Sequence, residues 1–69
     1  MDLVLLLGRN VRKHRRLRGL SQEQLALEAD MKRSYVSDLE RGTRNPTVRA
    51  VERLAAALGV NASELLNEN

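Results

Sequence analysis

Apolar residues recur at steps of three and four along most of this chain, which is the spacing of amphipathic α-helices. The first stripe predicts a helix from Leu3 to Arg18 that stops at Gly19. A second helix opens at Ser21, where Gln24 three residues later completes a capping box, and it ends near Ala29. The chain therefore begins with two consecutive helices.

Three further helices complete the predicted order. The third covers about Arg33 to Arg41, after a turn through residues 30 and 31, and Gly42 supplies its left-handed end. Thr47 caps a fourth helix that stops at Gly59, and Asn61 opens a final short one that carries Leu65 and Leu66 toward the core or toward another subunit. We expect a single all-α domain over residues 1–69. The residues expected to face its core are Leu3, Leu7, Val11 and His14, then Leu25 and Ala29, then Val36, Leu39 and part of Tyr35, then Val48, Val51, Leu54, Ala55 and Leu58.

Composition limits what this domain can be. The 69 residues include no cysteine, so stability must come from helix packing, aided by a partner subunit. The absence of cysteine also fits a reducing compartment, and the cytoplasm is the expected location. The apolar run from Leu3 to Leu7 is far shorter than the roughly 20 residues of a bilayer helix, and no cleavage site follows it. Neither a transmembrane helix nor a secretory signal is predicted.

Basic residues are concentrated in one part of the chain. Residues 9–44 hold ten of the twelve lysines and arginines against five acids, although the net charge is only +3. Nucleic acid, an acidic membrane surface or an acidic protein would each fit such a face. The second and third helices favour nucleic acid, because a pair of helices joined by a three-residue turn can lay its second helix in a major groove. The outward side chains of that second helix are Arg33, Ser34, Ser37, Asp38 and Arg41.

Four stretches of the chain carry a family resemblance: GLSQEQLA at 19–26, RSYVSDLERG at 33–42, RNPT at 44–47 and LAAALGV at 54–60. Together they resemble the XRE/Cro-type helix-turn-helix proteins, which include phage repressors and restriction–modification controller proteins. The resemblance covers about Leu7 to Leu66. It implies a compact five-helix domain of the lambda repressor type, with its helix-turn-helix at about residues 21–42.

The resemblance also implies which side chains read bases. Arg33 occupies a reading position, where arginine can donate twice to guanine O6 and N7; the alternative is an arginine that binds phosphate or stays free. Ser34 and Ser37 are further candidates, since serine can donate to or accept from any base; the alternative is an ordinary surface serine. Asp38 either accepts from a cytosine amino group or orients Arg33 or Arg41.

Phosphate contacts are expected around this helix. The resemblance implies that Gln22 binds a phosphate at a helix N-terminus, and that a loop after the third helix follows the sugar-phosphate backbone; solvated side chains are the alternative. Tyr35 either donates its hydroxyl to a phosphate or simply packs, and Lys32 replaces the usual capping residue but can reach a phosphate. The full predicted set is Ser21, Gln22, Lys32, Tyr35, Arg41, Thr43, Arg44 and Asn45.

Other positions are assigned structural roles. Alignment with the family suggests an ion pair between Arg15 and Glu40 that joins the first helix to the end of the third. His14 stands where the family usually has a core leucine, and a lone histidine is expected to pack rather than bind metal. A dimer surface is expected near the turn between the fourth and fifth helices, and the segment Leu3 to Leu6 competes with it. The first surface consists of Val60, Leu65 and Leu66.

These expectations describe a dimeric regulator that binds a pseudo-palindromic double-stranded DNA operator and needs no cofactor or metal. A controller protein, or an antitoxin that also binds DNA, is the alternative, so RNA polymerase and a toxin protein are further candidate partners. Membrane binding would explain only the first helix. No nucleophile-and-base pair suggests an enzyme, and one aromatic residue makes no stacking platform for RNA.

Overall fold

The computed structural model describes residues 2–68, which form four α-helices and one 3-10 helix joined by short loops. The helices are α1 (Leu3–Leu17), α2 (Gln22–Glu28), α3 (Arg33–Glu40) and α4 (Val48–Leu58). The expected all-α fold is confirmed. The last element, Ala62–Leu66, is a 3-10 helix rather than the fifth α-helix expected, because its five residues close with a short-range bond from the Glu64 N–H to the Asn61 carbonyl, 2.9 Å.

Local capping explains where the helices begin. The Ser21 hydroxyl accepts from the Gln24 N–H at 3.0 Å, and the Gln24 side chain accepts from the Ser21 N–H at 2.8 Å, which is the predicted capping box. Thr47 caps α4 by accepting from the Ala50 N–H. Lys32 precedes α3 without a side-chain cap, so this helix depends on packing more than the others do.

The core lies between all five elements. Its fully buried large side chains are Leu6, Val11, Leu25, Val36, Leu39, Leu54, Leu58 and Leu65. Two predicted core residues are wrong: Leu3 is 61% exposed and Val48 is 81% exposed. Each is the first residue of its helix and extends beyond the part of the helix that its neighbours cover. His14 is half-buried, as a packed side chain would be.

A small residue, Gly8, and a polar one, Asn10, fix α1 against the rest of the fold. A Cβ added at Gly8 would lie 2.2 Å from the Leu39 carbonyl oxygen, so α1 and α3 touch backbone to backbone there. The buried Asn10 side chain donates to the carbonyls of Leu65 and Asn67, both at 2.8 Å. These contacts hold α3 on one side of α1 and the 3-10 helix on another.

Candidate nucleic-acid interface

The turn between α2 and α3 sets the direction of α3. Asp30 adopts a left-handed conformation with φ of 57°, which aspartate tolerates better than most residues do. The Met31 N–H donates to the Ala26 carbonyl at 2.9 Å and closes the turn. Val36 and Leu39 are fully buried, so the opposite side of α3 faces solvent.

A partly buried polar cluster of Arg15, Gln22 and Glu40, here called the hub, joins three helices. Arg15 Nε donates to Glu40 Oε2 at 2.7 Å, and Arg15 Nη2 donates to Oε1 at 3.1 Å. Gln22 Nε2 also donates to Oε1, at 3.1 Å, and Arg15 Nη1 donates to the Leu20 carbonyl at 2.8 Å. The ion pair implied by the family resemblance is present. Its two side chains are only 11% and 4% exposed, so its charges are compensated by contacts rather than by water.

A more exposed cluster lies along α3 and in the loop that follows it; we call Tyr35, Asp38, Arg41 and Arg44 the rail cluster. Asp38 forms ion pairs with Arg41 and with Arg44, the latter over 3.7 Å. The Arg44 guanidinium carbon stands 4.6 Å from the centre of the Tyr35 ring. Thr43 donates through its hydroxyl, at 3.1 Å, and its N–H, at 3.0 Å, to the Asp38 carbonyl. The loop after α3 is therefore attached to the helix.

The remaining predicted contact residues are solvent-accessible. Arg33 and Lys32 are exposed and make no ion pair within residues 2–68. Of the two arginines given as alternative partners of Asp38, the carboxylate contacts Arg41, and its second partner is Arg44 in the loop. The other outward side chains are the exposed Ser21, Ser34, Thr43 and Asn45 and the half-buried Gln22 and Ser37.

Sequence reasoning missed several of these contacts. It did not anticipate the pairing of Asp38 with Arg44, the stacking of Arg44 on Tyr35 or the bond from Gln22 to Glu40. No periodic signal could have found them, because they depend on the path of the α3–α4 loop and on the angle between helices.

The predicted dimer surface also needs correction. Leu65 is completely buried within the chain, because it packs under α1 and α4, and it presents no surface to a partner. Val60 is half-buried and Leu66 is 44% exposed. In the competing segment, Leu3 and Leu5 are exposed but Leu6 is 1% exposed.

Within residues 2–68, no group of His, Asp or Glu is arranged to hold a metal ion. None of the helices there has both the length and the apolar character needed to cross a membrane.

The fold and these clusters define a helix-turn-helix domain. The chain belongs to the helix-turn-helix family: the family model HTH_3 matches residues 11–65, which confirms the XRE/Cro-type resemblance.

Relatives of this chain include controller proteins and other regulators. The control protein C.BamHI of Bacillus amyloliquefaciens is 47% identical over 96% of this chain and 83% of its own length. The solved structure of the restriction–modification controller protein C.AhdI of Aeromonas hydrophila superposes with a TM-score of 0.87 at 40% identity, over 90% of this chain and 94% of its own. The biofilm regulator SinR, solved in complex with DNA, superposes with a TM-score of 0.84 at 32% identity, over 88% and 98% of the two chains.

Proposed function

We propose that the chain is a sequence-specific transcription regulator that binds double-stranded DNA with α3 in the major groove. The observation that carries the proposal is the outer face of α3, where Arg33 has no ion pair within residues 2–68 and the serines at 34 and 37 stand beside it. The inner face is fixed by buried leucine and valine. The likeness to SinR, solved in complex with DNA, supports the proposal.

In this proposal, base reading and phosphate binding fall to different parts of the site. Arg33 reads a base, with Ser34 and Ser37 beside it. DNA phosphates bind at the start of α2, at the residue before α3, and along the rail cluster and its loop. Hydrogen-bond donors and positive charge are concentrated there. The phosphate-binding side chains are Ser21, Gln22, Lys32, Tyr35, Arg41, Thr43, Arg44 and Asn45.

We further propose that two chains bind a pseudo-palindromic operator, with their α3 helices in grooves about 34 Å apart. Asn10 ties α1 to the 3-10 helix, and Leu3 lies two turns before Asn10 on the same side of α1. The exposed leucines of the two alternative dimer surfaces are Leu66 on one and Leu3 and Leu5 on the other, and we propose the contact at Leu66. Leu66→Glu should convert the dimer to monomer in sedimentation; an unchanged dimer would place the contact elsewhere.

Identity to C.BamHI and the likeness to C.AhdI favour a narrower role as a controller of restriction–modification genes. A selected operator that lies upstream of a neighbouring nuclease or methyltransferase gene would support it. Neither the structure nor these relatives support a toxin or RNA polymerase partner.

Selection of duplexes from a random pool tests the DNA-binding proposal. Wild-type protein should enrich one pseudo-palindromic motif. Arg33→Ala should weaken binding by roughly 1–3 kcal/mol and relax the preference at one base position. Lys13→Ala serves as the control, because it removes a positive charge from the side of α1 away from the Gly8 contact with α3. Failure to enrich any motif, or an equal loss on all sequences for Arg33→Ala, would contradict the assignment.

A further inference from the structure

Asp38 occupies a position where the family resemblance implies a base reader, yet its carboxylate is already engaged within the chain. Arg41 Nη2 donates to Oδ1, and Arg44 Nη2 lies 3.7 Å from Oδ2. Each carboxylate oxygen therefore faces a guanidinium. A cytosine amino group would have to displace or share one of these partners.

Arg44 is held from other directions as well. Its guanidinium carbon lies 4.6 Å from the centre of the Tyr35 ring, and the preceding residue, Thr43, donates twice to the Asp38 carbonyl. The side chain and the main chain of Asp38 thus both tie down the segment that carries Arg44. An arginine on a loop would otherwise sample many rotamers, and ordering it on binding would weaken affinity.

The two arginines nevertheless stay open to a ligand. The side chain of Arg41 is 64% exposed and that of Arg44 is 45% exposed, compared with 29% for Asp38. A guanidinium has five N–H donors, so one edge can remain on the carboxylate while another donates to a phosphate. Phosphate binding therefore does not require these ion pairs to break.

We propose that Asp38 is a positioning residue that pre-organises Arg41 and Arg44 for the DNA backbone and does not itself read a base. The inference rests on the proposed DNA-binding function. It makes a prediction whose sign is opposite to that of simple electrostatics. Removing a carboxylate adds positive charge, which by itself strengthens binding to DNA. Loss of positioning weakens it.

The test uses the full chain and the duplex that wild-type protein selects from a random pool. Asp38→Asn keeps the side-chain shape but removes its charge, and Glu52→Gln makes the same charge change at an exposed α4 residue with no ion pair within residues 2–68. Asp38→Asn should weaken binding roughly tenfold, the scale expected from ordering two long side chains on binding. Base preference should be unchanged, and Glu52→Gln should bind as tightly as wild type or slightly more tightly.

The second measurement is the effect of Asp38→Asn on affinity in a protein that lacks both Arg41 and Arg44. In Arg41→Ala/Arg44→Ala protein, Asp38→Asn should change affinity by at most about twofold, because nothing remains to be positioned. A tenfold loss that persists there would overturn the inference.

Other outcomes separate the inference from the function on which it rests. If Asp38→Asn binds DNA as tightly as Glu52→Gln does, or more tightly, then Asp38 only repels phosphate. If Asp38→Asn alters the preference at one base pair, then Asp38 reads a base. Either result overturns this inference alone. If wild-type protein selects no duplex, the proposed function fails and the inference fails with it.

Discussion

Helix α3 carries two carboxylates, two residues apart, that both bind arginine in very different surroundings. In the hub, Glu40 and Arg15 are 4% and 11% exposed and are 25 positions apart in the sequence. In the rail cluster, Asp38 is 29% exposed and its partners, Arg41 and Arg44, are close by in sequence and largely open to water. The same pair of chemical groups thus serves two sides of one helix, because residues two apart on an α-helix point in nearly opposite directions.

The difference in burial determines what each ion pair can do. A buried pair adds little net stability, but removing one partner leaves a charge without compensation, so the pair fixes the angle at which its helices meet. An exposed pair is screened by water and contributes little to folding. The hub should therefore affect stability and binding together, whereas the rail cluster should affect binding alone.

The largest expected effect is at the hub. Glu40→Ala leaves the Arg15 guanidinium and the Gln22 amide without their shared acceptor, and it should destabilise the protein by about 3 kcal/mol. Because α3 then loses its fixed angle, operator affinity should fall as well. Urea unfolding and operator titration measure the two effects, and Glu52→Ala, at an exposed residue of α4, should stay within about 0.5 kcal/mol of wild type. Unchanged stability and affinity in Glu40→Ala would show that the hub does not orient α3.

A double substitution separates the two roles of the hub. Arg15→Met combined with Glu40→Leu removes both charges and fills the space with apolar groups, which often restores stability. Stability should return toward wild type, whereas operator affinity should remain reduced. Full recovery of both would mean that the ion pair has no orienting role of its own.

The next largest effect should come from the α1–α3 contact beside the hub. Gly8→Ala places a Cβ 2.2 Å from the Leu39 carbonyl oxygen and 3.2 Å from that of Glu40, so the two helices must separate. We expect a loss of about 2 kcal/mol in the free energy of unfolding. In operator binding, Gly8→Ala and Glu40→Ala should be non-additive because both act on one contact, whereas Gly8→Ala and Arg44→Ala should add. If the effects add in both pairs, the Gly8 contact and the hub act on operator binding independently.

These two clusters also show how far the sequence alone could reach. Helix order and caps were predictable because they depend on residues within one turn of each other, as the Ser21–Gln24 capping box does. The Arg15–Glu40 pair came only from the family resemblance, because 25 positions separate its members. The burial of Leu65 and the role of Asn10 depend on where the 3-10 helix docks, which no local pattern encodes.

The smallest effect on folding is expected from the rail cluster, at Arg44. Its side chain is 45% exposed, and Arg44→Ala removes only an ion pair of 3.7 Å and a contact with the Tyr35 ring. The substitution should therefore change stability by less than about 0.5 kcal/mol. Affinity should nevertheless fall by similar factors on all sequences. The slope of log K against log salt should become shallower by about 1, as expected for one lost phosphate contact. Measuring this slope at several salt concentrations, with unfolding as the control, compares the rail cluster directly with the hub. If Arg44→Ala instead destabilised the fold as Glu40→Ala is expected to, burial would not be what distinguishes the two carboxylates of α3.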